Sequence, residues 1–299
     1  MDDKMKLYYI LFSIFLIYPA SAQHIDIGYA KDSTNITEVE KEYHVNFTHQ
    51  LIYQKINNLD YNQVKRILDT GNGCIINIEF MNNPSDPANL KDISSGKYDK
   101  QLLKFLSDAE KDGRYFQIRT LHEFNGDWYP WCIYRTGNNL TEFHNAWNHV
   151  TEIIHDSDAN VEIQLNYNQV SAKQIYSFKE MYPGHDNVDK IVITSYNRAG
   201  TDKDHKQWKS FKDNFHKPYT EITSFTSKPI GIAEISTTSY GGNKPLWLLQ
   251  TAKDIKEYDR IVEITWFLNN KEVNGVIWNW DMNNVFDKWA FGIANNKII

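Results

Sequence analysis

Short apolar runs recur along the chain and alternate with segments whose apolar residues have helical spacing. This alternation is typical of strands joined by helices in a parallel sheet. Eight runs are predicted to be strands, namely residues 24–30, 48–55, 74–81, 115–124, 161–168, 190–197, 229–235 and 274–280. Because helical crossovers are right-handed and eight such units suit a closed barrel, we predict an α/β fold of the (β/α)₈ TIM barrel type.

Three of the intervening helices have ends or faces that can be recognised in the sequence. Asp60 is expected to be the N-cap of a helix that Gly71 ends, and a second helix stops before Gly113. A third helix carries its apolar residues on one face, at Phe143, Trp147, Val150 and Ile154. We expect these apolar faces to cover the outside of the barrel.

The composition is that of an ordinary globular protein, with 41% hydrophobic and 23% charged residues among 299. A single α/β barrel commonly fills about 250 residues. No linker rich in Pro, Ser or Gly, no repeat and no low-complexity run divides the chain. We therefore predict one domain over residues 23–299, and we expect it to be monomeric.

The N-terminus has the features of a secretory signal peptide. Lys4 and Lys6 precede an apolar run over residues 7–18, and a small-x-small site ends at Ala22. The apolar run is short for a membrane span of about 20 residues. Residues 1–22 are therefore predicted to be a signal peptide, and the protein to be secreted or periplasmic, without membrane attachment after cleavage. An uncleaved anchor is the alternative, since acidic residues near Met1 are atypical of a signal.

Charge and cysteine content exclude several classes of protein. The net charge is −6 and basic blocks are absent, which argues against nucleic acid as a partner. Two cysteines, Cys74 and Cys132, cannot form a disulfide framework or a four-thiolate metal site. Export permits one bridge between them, and two buried free thiols are the alternative. The sequence has no His-Glu-x-x-His, Gly-x-Ser-x-Gly or phosphate-loop motif, so no metal or cofactor is predicted.

The densest group of polar and aromatic residues, 119–131, lies at the end of the fourth predicted strand. Glu123 ends the strand pattern, and Trp128 follows a turn at residues 125–127. Burial beside aromatic rings raises the pKa of a carboxyl group, as a general acid requires. Glu123 is therefore a candidate proton donor. For this segment alone, a Glu that caps a loop beside surface aromatic residues is the alternative.

A second carboxyl group, that of Glu234, follows the apolar positions of the seventh predicted strand. Chemistry in (β/α)₈ barrels takes place where strands end and the following loops begin. Two Glu residues at the tips of different strands satisfy the minimum requirement of glycoside hydrolysis, a proton donor and a nucleophile or base. For Glu234 alone, a salt-bridged Glu at the rim is the alternative.

Other strand tips carry aromatic and polar groups that suit a carbohydrate cleft. Tyr196 ends the sixth run and is expected to donate a hydrogen bond to a nucleophilic carboxylate. Trp278, in the eighth run, is expected to form the floor under the cleaved sugar. Each residue taken alone is also explained by simple packing.

With these residues in view, the chain resembles glycoside hydrolase family 26, whose best-known members are β-mannanases of the large retaining clan with (β/α)₈ barrels. Residues 119–128 are similar to the family signature Arg-x-x-His-Glu-Met-Asn-Gly-x-Trp, with Phe124 in place of Met. Further similar segments follow in the same order and with similar spacing, at residues 92–106, 143–150, 182–197 and 228–236. The resemblance extends over about residues 60 to 285.

The resemblance implies a retaining endo-β-glycanase with Glu123 as acid/base and Glu234 as nucleophile. It also implies that His122, Trp128, Tyr196 and Trp278 line the subsite at the scissile bond. A β-1,4-mannanase is the leading expectation. His185, which replaces an acidic residue, and residues 166–168, which replace Trp-Ser-Pro-Asn, leave mixed-linkage glucan or xylan open as substrate.

Two other classes of function remain as alternatives. A carbohydrate-binding protein with a glycosidase fold would need stacking and hydrogen bonds, but it would not need both Glu123 and Glu234. A secreted adhesion or structural protein would leave the carboxyl pair and the rim motifs unexplained.

Overall fold

The computed structural model describes residues 24–32 and 35–298, so the predicted signal peptide lies outside the described residues. Eight parallel strands form a closed barrel in which each strand pairs with the next and the last pairs with the first. They are β1 Asp26–Ala30, β2 His49–Lys55, β3 Gly73–Glu79, β4 Phe116–Thr120, β5 Val161–Asn168, β6 Lys190–Asn197, β7 Ile230–Thr237 and β8 Ile261–Phe267. The predicted (β/α)₈ barrel is confirmed.

Helices surround the barrel. They are α1 Ile36–Tyr43, α2 Tyr61–Leu68, α3 Leu90–Ser94, α4 Asp99–Asp112, α5 Leu140–His155, α6 Phe211–Thr223, α7 Lys244–Ile255 and α8 Val285–Ile298. A short 3₁₀ helix over Ile56–Asn58 precedes α2. In the described segment between β5 and β6, residues 169–189, turns and bends replace a helix. No described helix is both long and apolar enough to span a membrane.

The expected start of α2, end of α4 and apolar face of α5 are present, whereas α2 ends at Leu68, before the expected Gly71. The side chain of Asp60 accepts a hydrogen bond from the backbone of α2, and Gly113 caps α4 with a φ of 75°. A positive φ is readily adopted by glycine, which is why the helix ends there. The predicted apolar face of α5 is buried. Cys74 and Cys132 are buried free thiols.

The eighth predicted strand, 274–280, is wrong. The eighth strand of the barrel is β8, which lies earlier in the chain. Residues 276–278 belong to a two-stranded antiparallel hairpin of β9 Lys271–Val273 and β10 Val276–Trp278. Asn274 and Gly275 form its two-residue turn, both with positive φ, as such hairpins require. The polar Glu263 interrupts the apolar pattern of β8, which made that segment less recognisable as a strand.

The barrel interior holds a buried polar network in place of a purely apolar core. The Lys190 ammonium lies 2.8 Å from a carboxylate oxygen of Glu263 and 2.8 Å from one of Glu162. Gln164 donates to Glu263 over 2.8 Å and accepts from Arg119 over 2.9 Å. Although burial opposes ionisation of both partners, their mutual attraction lowers the pKa of Glu263 to about 2 and raises that of Lys190. The network therefore holds a buried ion pair.

Replacing Lys190 by Met should lower the free energy of unfolding by about 3–5 kcal/mol, because it leaves Glu263 buried without its cation. Chemical denaturation measures this quantity. Lys104→Met is the control: its side chain is 78% exposed and pairs with Asp108 at the surface, where a loss below about 1 kcal/mol is expected. Equal losses in the two variants would show that the buried pair does not contribute as described.

Candidate active site

A cavity of about 310 Å³ opens at the carboxyl ends of the barrel strands. It brings together five of the predicted site residues, Glu123, Trp128, Tyr196, Glu234 and Trp278. Its other lining residues are Tyr129, Asn168, Arg198, Lys271 and Trp280. Carboxyl, amide, phenol, cationic and indole groups thus face one space. Among the described residues, no group of three or more His, Cys, Asp or Glu is arranged to hold a metal ion.

The backbone that carries Glu123 is strained. Leu121 and Glu123 have φ values of 47° and 52°, in the left-handed region that non-glycine residues rarely occupy. The N–H of Glu123 donates to the carbonyl of Asn166 over 3.0 Å, which helps hold this conformation. Such strain costs about 1–3 kcal/mol per residue and is concentrated at functional sites. Here it turns the Glu123 carboxyl group from the end of β4 into the cavity.

The carboxyl group of Glu123 accepts hydrogen bonds on both oxygens. The Trp128 indole donates over 3.0 Å and the Asn168 amide over 2.8 Å. Burial raises the pKa of Glu123, and the nearby negative charge of Glu234 raises it further. The donated hydrogen bonds oppose this rise without cancelling it. Glu123 is consequently suited to hold a proton at a pH where an exposed Glu is ionised.

The carboxyl group of Glu234 has different partners. The Tyr53 hydroxyl donates to one oxygen and the Tyr196 hydroxyl to the other, each over 2.6 Å. Burial, followed by the charge of Glu234, raises the pKa of both phenols well above the ordinary value. Both phenols therefore remain protonated donors, and the two hydrogen bonds fix the orientation of the carboxyl group.

Irregular strand pairing and one arginine position the backbone at Glu234. The register of β7 shifts against β6 and β8 in this region, as a β-bulge does when it redirects a side chain. Arg119 is fully buried beneath the site and donates to the carbonyl of Ala233 over 3.0 Å. The residue that precedes Glu234 is thus tied to β4, the strand that leads to Glu123.

Comparison with known proteins adds to this geometry. No family model matches the chain. Endoglucanase H of Acetivibrio thermocellus is 33% identical over 231 residues, which cover 75% of this chain. A β-mannanase of family 26 from Bacteroides ovatus has a TM-score of 0.68 at 13% identity, covering 93% of this chain and 90% of that one. A modular endo-β-1,4-mannanase of family 26 from Cellulomonas fimi has a TM-score of 0.65 at 13% identity, covering 91% and 70%.

The resemblance to glycoside hydrolase family 26 is confirmed. At such low identity the two solved structures establish a shared fold alone. The sequence match to Endoglucanase H extends over most of this chain. However, the chain spans only 25% of the length of that relative.

Within the segment similar to the family 26 signature, His122 is the predicted site residue that does not line the cavity. It is buried, with its ring 4.6 Å from that of Tyr129 and 5.1 Å from that of Trp131. Burial, assisted by the charge of Arg119, lowers the pKa of His122 to about 3. His122 is therefore a neutral ring that supports Tyr129, and contact with a substrate stays a prediction.

Three residues outside the predicted set contribute to the site: Lys271 and Asn168 line the cavity, and Tyr53 donates to Glu234. Tyr53 lies within the apolar run of β2, where an aromatic residue usually indicates core packing. Lys271 precedes the segment that was wrongly predicted as the eighth strand, so its approach to the site depends on the hairpin. Asn168 ends β5, and the signal for it was the predicted strand tip with its polar residues.

Proposed function

We propose that this chain is a glycoside hydrolase, a retaining endo-β-glycanase in which Glu123 is the acid/base and Glu234 the nucleophile. The observation that carries the proposal is the unequal setting of two carboxyl groups in one cavity. Glu123 has a pKa raised by burial and by the charge of Glu234, whereas Glu234 is held by two phenols. Two carboxyl groups whose environments differ in this way fit the separate roles of acid and nucleophile.

In the first step, Glu123 donates its proton to the oxygen of the leaving sugar while Glu234 attacks the anomeric carbon. The glycosidic bond breaks as the bond to Glu234 forms, giving a covalent glycosyl-enzyme. This bond neutralises the charge on Glu234 and so removes one cause of the raised pKa of Glu123. Glu123 is then able to accept a proton from water, which attacks the anomeric carbon and releases the sugar.

A retaining mechanism requires the two carboxyl groups to lie about 5–5.5 Å apart. Their shared cavity and the effect of the Glu234 charge on Glu123 support this arrangement. In a carbohydrate-binding protein without turnover, neither the carboxyl pair nor the strained backbone at Glu123 would be needed.

The surrounding residues have roles that follow from their chemistry. Trp128 and Asn168 orient the carboxyl group of Glu123, and Tyr196 orients that of Glu234. The indole ring of Trp278 provides an apolar face on which the sugar before the scissile bond stacks. His122 supports this subsite through Tyr129.

The substrate is a polysaccharide, with β-1,4-mannan as the first candidate. The B. ovatus and C. fimi proteins are β-mannanases, whereas the relative with 33% identity is an endoglucanase. Mixed-linkage glucan and xylan are therefore the alternatives. A polymeric substrate fits a protein that acts outside the cytoplasm, so we propose that this protein is secreted. We also propose that it acts as a monomer.

Incubating the protein with mannan, mixed-linkage glucan and xylan tests this function. We expect one of them to lose viscosity faster than reducing ends appear, as internal cleavage requires. Proton NMR should show β-anomers as the first products, because two displacements retain configuration. First products with the α-configuration would contradict the mechanism. Binding without cleavage of any glycan would favour the carbohydrate-binding alternative.

A further inference from the structure

Two cationic side chains lie on aromatic rings in the wall of the same cavity. The Lys271 ammonium is 4.5 Å from the centre of the Phe267 ring, and the Arg198 guanidinium is 4.7 Å from that of the Trp278 ring. Lys271, Arg198 and Trp278 line the cavity together with both carboxyl groups. Stacking on a ring holds a cation in place while leaving its N–H groups free to bind a ligand.

The β9–β10 hairpin brings these groups close to the reacting atoms. Lys271 is paired directly with Trp278 in the hairpin register. The Phe267 ring below Lys271 is 6.0 Å from the Tyr196 ring, and the Tyr196 hydroxyl donates to Glu234. Lys271 is thus separated from the proposed nucleophile by two aromatic rings.

The acidic groups of the site already have other partners. Both carboxyl oxygens of Glu234 accept hydrogen bonds from phenols, and those of Glu123 accept from an indole and an amide. Burial raises the pKa of Glu79, and the charges of Lys55 and then Lys271 oppose this rise. None of these three carboxyl groups forms an ion pair with Lys271 in the described part of the chain.

Both cationic side chains can donate further hydrogen bonds to a ligand. Within the described residues, Lys271 is exposed and has no acidic group within ion-pair distance. Arg198 reaches Asp202 with one nitrogen at 3.3 Å, while its buried Nε has no hydrogen-bond partner in the described part of the chain. Neutral sugar hydroxyls would leave the charge of Lys271 uncompensated, whereas an oxyanion would accept hydrogen bonds from Lys271 and from the free Nε–H of Arg198.

We infer that the cavity accepts a glycan that carries an oxyanion group on the side of Trp278, bound by Lys271 and Arg198. The inference rests on the proposed function, since it names the substrate class of the same site. The shared chemistry is an anionic oxygen group, supplied either by the C6 carboxylate of a uronic acid or by a sulfate ester.

Binding to oligosaccharides that differ only in charge tests the inference. The measurement uses Glu123→Gln. The amide is uncharged, like a protonated carboxyl group, and it prevents turnover of unactivated glycans. The ligands are β-1,4-mannotetraose, its C6-oxidised form tetramannuronate and its sulfated form, with the corresponding β-1,4-glucose series beside them. Isothermal titration gives each dissociation constant at low and high salt.

We expect one anionic form to bind about tenfold more tightly than its neutral parent, and this preference to fall at high salt. A preference for the oxidised form would assign a uronic acid, and one for the sulfated form a sulfate ester. Adding Lys271→Met should abolish the preference. The matched control is Lys173→Met, which removes an exposed cation 5.9 Å from the Tyr134 ring and outside the cavity; it should leave the preference unchanged.

Equal or weaker binding of every anionic form would overturn the inference, as would a preference that survives Lys271→Met or no binding of any ligand. Because binding is measured without turnover, the outcome is separate from that of the hydrolase proposal. An anionic preference in a protein that cleaves no glycan would support the site and refute the hydrolase. Cleavage of neutral glycan without any preference for an anionic ligand would support the hydrolase and refute the anion site.

Discussion

Glu234→Ala should lose at least about 10⁴-fold in kcat on any glycan that the protein cleaves, because no other group can form the covalent intermediate. Glu234 lies at the rim of the barrel, where its side chain meets two phenols and the cavity. Its removal should therefore act on chemistry, with cooperative unfolding and oligosaccharide binding retained. Initial rates, thermal unfolding and isothermal titration measure the three properties.

Added azide provides a stereochemical test of Glu234. With the carboxyl group absent, azide can attack the anomeric carbon from the vacated face, so the product from an activated aryl glycoside should be the α-azide. Glu180→Ala is the control, since it removes an exposed carboxyl group from the loop between β5 and β6. A Glu234→Ala protein that fails to fold would show that Glu234 is structural, and a β-azide would show that the two roles are exchanged.

Glu123→Ala should lose about 10²–10⁴-fold in kcat/KM on unactivated glycans, the usual contribution of a general acid. An activated aryl glycoside needs no proton for its leaving group, so the first step should persist and the covalent intermediate should accumulate. Azide should restore turnover and give the β-azide, because it attacks the intermediate in place of water. Asp127→Ala, an exposed carboxyl group in the same loop, is the control.

The pH profile gives a second test of Glu123. In the native protein the acid must be protonated, so kcat/KM on a glycan should fall as the pH rises through the raised pKa of Glu123. Glu123→Ala should lack this alkaline limb when it is measured with the activated substrate. An alkaline limb that persists unchanged would assign the titration, and with it the acid role, to another group.

The fold and the two carboxyl groups were predictable because their signals are local. Strand runs separated by helical segments indicate a barrel; Glu123 follows β4, and Glu234 lies in the second half of β7. The last barrel strand was missed for a physical reason. Glu263 in β8 is stabilised by Lys190 on a different strand, and a pairing across the barrel has no signal in the local pattern.

The same limit explains why Tyr53, which donates to Glu234, and Lys271, which lines the cavity, were missed. Tyr53 resembles a core residue until the barrel closes and brings its hydroxyl to Glu234, far away in sequence. Lys271 reaches the cavity only because Asn274 and Gly275 turn the chain into a hairpin. Side chains that act through pairing between distant strands cannot be found from periodicity alone.

The β9–β10 hairpin is a structural element separate from the barrel, and it carries part of the cavity wall. It carries Trp278 and Lys271 into the cavity, yet it contributes no strand to the barrel that holds the carboxyl pair. Under the proposed function, exchanging residues 271–278 could thus alter which glycan binds, while the barrel, Glu123 and Glu234 stay unchanged.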